Sequence, residues 1–266
     1  MAAGNLRKCL DITLSHEGGL SVDRRDPGNW TGGKVGHGVL KGTKYGVAAS
    51  AHPSLDIRNL TKSDVEPIYW EKYWLPICGD QLPAGIDLAV FDYGVNSGPE
   101  RSIKALQKVV GADQDGVIGP LTLRRAQLLP PVDTIKRHCA SRMSFLRGLR
   151  TWQTFGRGWS RRVADIEARA VSMALTAEGL PPAVVKGRLE EEQVRARVDA
   201  NNKTAAAGGA GAAGGLSSGA EILYGDFGWV GLALAVLLVV AAIYLAIRVK
   251  HSLDRADAYG ESAKRM

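Results

Sequence analysis

Cysteine is scarce: Cys9, Cys78 and Cys139 are the three in 266 residues, far apart and set among apolar neighbours. An odd, scattered set excludes a disulfide framework and offers no metal-ligand spacing, so thiols are expected. Strand-like alternation is also scarce, which makes the expected fold class mostly α. No internal repeat occurs. The N-terminal stretch "MAAGNLRKCLDITLSHEGG" lacks an apolar core segment, so no secretory signal is expected. Two metal motifs are incomplete. His16-Glu17 opens like HExxH, but Leu20 holds the fifth position. "GADQDGVIG" has Asp113, Asp115 and Gly116 at calcium-loop spacing, but Gly111 and Thr122 take the first and last ligand positions. No cofactor or metal is therefore expected. Acidic residues are few from Arg124 to Arg169, where 11 Lys/Arg face three acids, while the whole chain carries +7. Such a stretch suits an anionic polymer or membrane surface as well as a solvated helix face. No nucleic-acid partner is expected.

Lys and Arg are missing altogether between Thr204 and Ile247. Within that gap, "FGWVGLALAVLLVVAAIYLAI" (227–247) runs 21 residues without a charge, with Trp229 and Tyr244 near its ends. As a helix it would extend about 32 Å, so it reads as a single transmembrane span. The Ala/Gly/Ser tract "AAAGGAGAAGGLSSGA" before it reads as a tether. Arg248, Lys250, Arg255, Lys264 and Arg265 follow the span, whereas Glu221 and Asp226 precede it. The positive-inside rule then keeps the tail cytoplasmic and turns the N-terminal part outward. With no signal expected there, a part of over 200 residues would have to cross the membrane, which conflicts with that orientation.

Helical periodicity dominates the rest. Leu6, Leu10, Thr13 and Leu14 recur at three- and four-residue steps, "AGIDLAVFDYGVN" and "SIKALQKVV" read as two more helices, and Arg137–Arg150 and Ser160–Ala174 add others. Ser97 and Glu100 have capping-box spacing. A charged helix is expected over 182–201. The organisation expected is 1–85, 86–178, 179–226 (charged helix and linker), 227–247 (span) and 248–266 (charged tail).

Glu17 follows Leu10, Thr13 and Leu14 on the first helix's apolar stripe, and Gly18-Gly19 are expected to end that helix with a left-handed residue. Burial and the negative end of the helix dipole would both favour a protonated carboxyl, the form that donates a proton to a leaving oxygen. Asp26, nine residues on across a Gly-rich loop, could supply the second carboxylate of a glycosidase pair. "YWEKYW" places Tyr69 and Tyr73 on one helix face. Tyr73 is the cleft candidate, with Trp70 and Trp74 expected in the core. Asp92 and Asn96, four apart, could hydrogen-bond an N-acetyl sugar; alternatively, Asp92 pairs with an Arg and Asn96 ends a helix.

"EGGLSVDRRDPGNWTGG", "GTKYGVAA", "IYWEKYW", "LAVFDYGVNSGP", "LQKVVG", "DGVIGPLT" and "FGRGWSRRV", in that order, resemble glycoside hydrolase family 108 N-acetylmuramidases, found among phage endolysins. The resemblance implies a lysozyme-like catalytic part (1–85) and a peptidoglycan-binding part (86–178). It implies Glu17 as catalytic acid and Asp26 as its partner. Tyr45, Tyr73, Asp92 and Asn96 become substrate-binding candidates, peptidoglycan the partner, and a holin a further partner in a lysis cassette. Extra residues before Gly46-Val47 leave open whether Thr31 or Thr43 takes the family threonine's place, and Leu20 stands where the family usually has Tyr. Hydrolysis, lytic transglycosylation and non-catalytic glycan binding remain alternatives, as do the retaining and inverting mechanisms.

Overall fold

The computed structural model describes the backbone of residues 4–213 and 228–266, and their side chains except those of 206–213, 228–235, 238, 239 and 242. It divides into two compact units, Met1–Gly148 and Leu149–Met266. The expected boundaries at 85, 178, 226 and 247 do not coincide with this division.

The first unit is helical with one small hairpin. Helix α1 (Leu6–Leu14) buries Cys9, Leu10, Ile12, Thr13 and Leu14, the stripe read from the sequence. It stops earlier than expected. The Ser15 hydroxyl donates to the Ile12 carbonyl at 2.6 Å, and the Glu17 amide closes a tighter turn onto Leu14. A serine side chain competing for a backbone carbonyl thus ends the helix. Neither Gly18 nor Gly19 has positive φ, which corrects the expected glycine stop. Strands β1 (Thr43–Lys44) and β2 (Val47–Ala48) pair antiparallel, with Thr43 opposite Ala48.

Helix α2 (Lys62–Tyr69) starts at a capping box between Thr61 and Asp64, then widens into a π-helical turn over Trp70–Trp74. Helix α3 (Ile86–Ser97) is buried on every side from Ile86 to Gly94 and packs against α1. Helices α4 (Pro99–Val110), α5 (Pro120–Leu128) and α6 (Pro131–Arg147) complete the unit, and α3 packs on α4 and α6. The expected capping box at Ser97 is absent. Gly98 is the N-cap of α4, Ser97 donates to Asn96 and Glu100 pairs with Lys104.

The second unit consists, among the described residues, of α7 (Trp152–Ala177), α8 (Pro182–Ala213) and α9 (Gly228–Lys264). The expected charged tail is instead the packed end of α9. Ser252, Ala256, Tyr259 and Ala263 are buried, and α9 packs on both α7 and α8. Glu167 of α7, itself buried, accepts from Arg255 and from the Tyr259 hydroxyl at 2.9 Å. Asp199 of α8 accepts from Lys203 and from Ser252.

These contacts leave the expected topology without support. A single crossing through 227–247 would put Asp199 and Ser252 on opposite faces of a bilayer. Their 2.6 Å hydrogen bond requires both on one side. Among the described residues no helix is long and apolar enough to cross a membrane. Part of the expected span, and of the tether before it, lies outside the described residues.

Candidate active site

Glu17 lies half-buried just beyond α1, against the tip of the β1–β2 hairpin. The two tip residues, Tyr45 and Gly46, have φ of 51° and 71°, the signature of a type I′ turn. A Cβ on Gly46 would stand 2.7 Å from the Tyr69 hydroxyl and 3.7 Å from Glu17 Oε2. The carboxylate therefore faces a bare, exposed Cα. Tyr69, buried at the end of α2, donates its hydroxyl to the Tyr45 carbonyl at 2.9 Å. Its ring centroid is 5.4 Å from that of Tyr73, so the two share a face as the sequence implied. Burial raises the Tyr73 hydroxyl pKa, and the negative charge of Glu17 raises it further. The structure thus gathers Glu17, Tyr45 and Tyr73, and adds Gly46 and Tyr69. Tyr69 reads from sequence as another core aromatic; only its shared face with Tyr73 hinted at the site.

Asp26 belongs to the adjoining loop and is exposed. Its carboxylate accepts from the Gly28 amide at 2.8 Å and so caps the short 3₁₀ turn Pro27–Asn29. Nearby Asp23 is held by Arg25, whose hydrogen bonds lower its pKa to about 2. The loop's organiser is Asn29, fully buried and unanticipated. Its amide donates to the Asp23 carbonyl at 3.0 Å, and its side-chain oxygen accepts from the Thr43 hydroxyl at 2.7 Å. Its own carbonyl accepts from the Lys41 and Gly42 amides. The extra residues fold back on themselves, with a Trp30–Leu40 bridge and a Thr31 hydroxyl accepting from Val39. Thr31 is used inside that side loop. Thr43 lies on the strand that runs into the Tyr45–Gly46 turn beside Glu17.

Asp92 does not reach a cleft. It is wholly buried and pairs with Arg142 of α6 at 2.7 Å, the structural alternative to sugar binding. A helix enclosed on all sides has no face left for substrate over its first nine residues. Asn96, half-buried near the end of α3, accepts from the Ser97 hydroxyl at 3.0 Å. Trp74 is core, whereas Trp70 is 43% exposed, against expectation, because the π turn breaks the α-helical register between them. Asp115 accepts from Gln107 and the Val117 amide, fastening the "DGVIG" loop. Among the described residues no group of three or more His, Cys, Asp or Glu could hold a metal ion.

The chemistry available is that of one partly enclosed carboxyl beside a tyrosine pair, with a second, exposed carboxylate on a neighbouring loop. Residues 10–98 match the family model described as glycosyl hydrolase 108. Nine chains of solved structures match. Among them is SagA of Brucella abortus, at 36% sequence identity and a TM-score of 0.53, over 64% of this chain and 96% of that one. No curated protein matches.

Proposed function

Because this chain belongs to the glycosyl hydrolase 108 family and is a glycoside hydrolase by that membership, we propose that it degrades peptidoglycan as an N-acetylmuramidase. In this reading it cleaves the β-1,4 bond between N-acetylmuramic acid and N-acetylglucosamine at the cell wall. The observation that carries the proposal is the Glu17 carboxylate, half-buried and facing the bare Cα of Gly46 at the hairpin tip. Glu17 acts as the general acid that protonates the leaving oxygen. Tyr45 and Tyr73 offer ring faces to the sugars. Asp26 stabilises the oxocarbenium-like state or activates water, and Thr43 rather than Thr31 lines the site. A lysis-cassette setting with a holin partner rests on resemblance alone.

One observation favours a second reading. Asp26 is exposed and already caps the Gly28 turn, which suits a reaction needing a single carboxyl. A lytic transglycosylase is such an enzyme. Mass spectrometry of the released fragments decides: reducing ends support the hydrolase, and 1,6-anhydro-muramyl ends would replace it with the transglycosylase. A zymogram band that survives Glu17→Gln would remove Glu17 from either scheme.

A further inference from the structure

The turn facing Glu17 is strained. Tyr45 and Cys78 are the non-glycine residues with positive φ among the described residues. Tyr45 occupies the first central position of a type I′ turn, where Asn, Asp or Gly is favoured because a bulky side chain crowds the left-handed region. Strain of this kind persists where the surroundings impose it, and it concentrates at functional sites.

Tyr69 is one of the groups that impose it. Its side chain is nearly fully buried, with its ring fixed against Tyr73 and, at 6.3 Å, Phe91. Its hydroxyl therefore has little freedom, and it donates to the Tyr45 carbonyl. That hydroxyl and Glu17 Oε2 converge on one point, the position of the missing Gly46 Cβ. A side chain there would both collide with Tyr69 and stand in front of the carboxylate. Turn, hydroxyl and carboxyl form one assembly, in which displacement of the hairpin tip changes what Glu17 faces.

We propose that Tyr69 is a positioning residue: through the Tyr45 carbonyl its hydroxyl holds the strained Tyr45–Gly46 turn as the wall along which a sugar meets Glu17. The proposal rests on the assignment of Glu17 as the acid. Tyr69 itself touches no substrate.

Tyr69→Phe keeps the ring and its packing and removes the hydroxyl alone. In the full chain acting on purified peptidoglycan, kcat should fall about ten- to a hundredfold with KM nearly unchanged, the effect of misplacing a reacting group. Amide exchange at residues 45–48 should quicken in the same folded variant while exchange in α3 stays as in the parent. Asn tolerates the left-handed region, so the kcat penalty of Tyr69→Phe should shrink in a Tyr45→Asn background. A merely structural tyrosine would lower Tm without that coupling. Parental kcat and hairpin exchange in Tyr69→Phe, alongside an inactive Glu17→Gln, would overturn the role of Tyr69 and leave Glu17 in place. An active Glu17→Gln would overturn both. Should Tyr69→Phe fail to fold, amide exchange in the double variant with Tyr45→Asn carries the same test.

Discussion

Removing the Asp92 carboxylate would strand the buried Arg142 guanidinium without its 2.7 Å counter-ion. Asp92→Ala should therefore cost about 3–5 kcal/mol of stability, the usual result of orphaning a buried charge. Urea denaturation reads this directly. The folded fraction should keep its KM for glycan, whereas a stable Asp92→Ala with impaired KM would return Asp92 to the site. His138 makes a second residue-scale prediction. It is fully buried beside Tyr93, with Nε2 donating to the Ser102 carbonyl, and burial lowers its pKa to about 4. The folded state thus holds it neutral while the unfolded chain protonates near pH 6.5. Stability must fall as pH drops from about 6.5 to 4, by on the order of 3 kcal/mol in all. Melts at pH 7 and pH 5 should show the loss, and His138→Phe should flatten it. At this scale the shared face of Tyr69 and Tyr73 and the place of Glu17 at the end of the first helix's stripe were legible from spacing, whereas Tyr45 entered by family resemblance alone. The roles of Asn29 and Tyr69 were not legible, because no pattern encodes the bonds that define them: Asn29 to the Asp23 carbonyl and the Thr43 hydroxyl, Tyr69 to the Tyr45 carbonyl.

Elements were more legible than their ends. Each helix of the first unit read from an apolar stripe is present, but α1 stops at Leu14 because Ser15 bonds back to Ile12, a contact no hydrophobic pattern encodes. The π turn was hidden for a similar reason: "YWEKYW" has the same composition in either helix type. The packed end of α9 was readable in principle. Ser252, Ala256, Tyr259 and Ala263 fall at steps of four, three and four, but the surrounding charges resembled a solvated tail. Their packing makes a prediction about α7. Glu167 is buried and relies on Arg255 and Tyr259 of α9, so Arg255→Ala should destabilise the second unit by about 3–5 kcal/mol. Circular-dichroism melts would reveal it. A variant as stable as its parent would mean that this end of α9 does not fasten the bundle.

Over the whole molecule, the division after Gly148 sets where the chain can be cut. The family match at 10–98 and the cluster around Glu17 both lie in Met1–Gly148. A fragment ending at Gly148 should fold by itself, since unit boundaries are where few contacts cross. A chain ended near residue 203 should be less soluble, because it keeps α7 and most of α8 without the α9 surface they bury. Sedimentation and melting of the two fragments decide between this and a dispensable C-terminal segment. The central claim, that Glu17 is the acid of a peptidoglycan glycosidase, has one direct measurement. Reducing ends released from purified peptidoglycan are followed for the parent chain and for Glu17→Gln at equal folded concentration. Loss of a general acid should slow release by about 10²- to 10⁴-fold with the melting temperature unchanged. Release by Glu17→Gln within a few-fold of the parent rate would contradict the account.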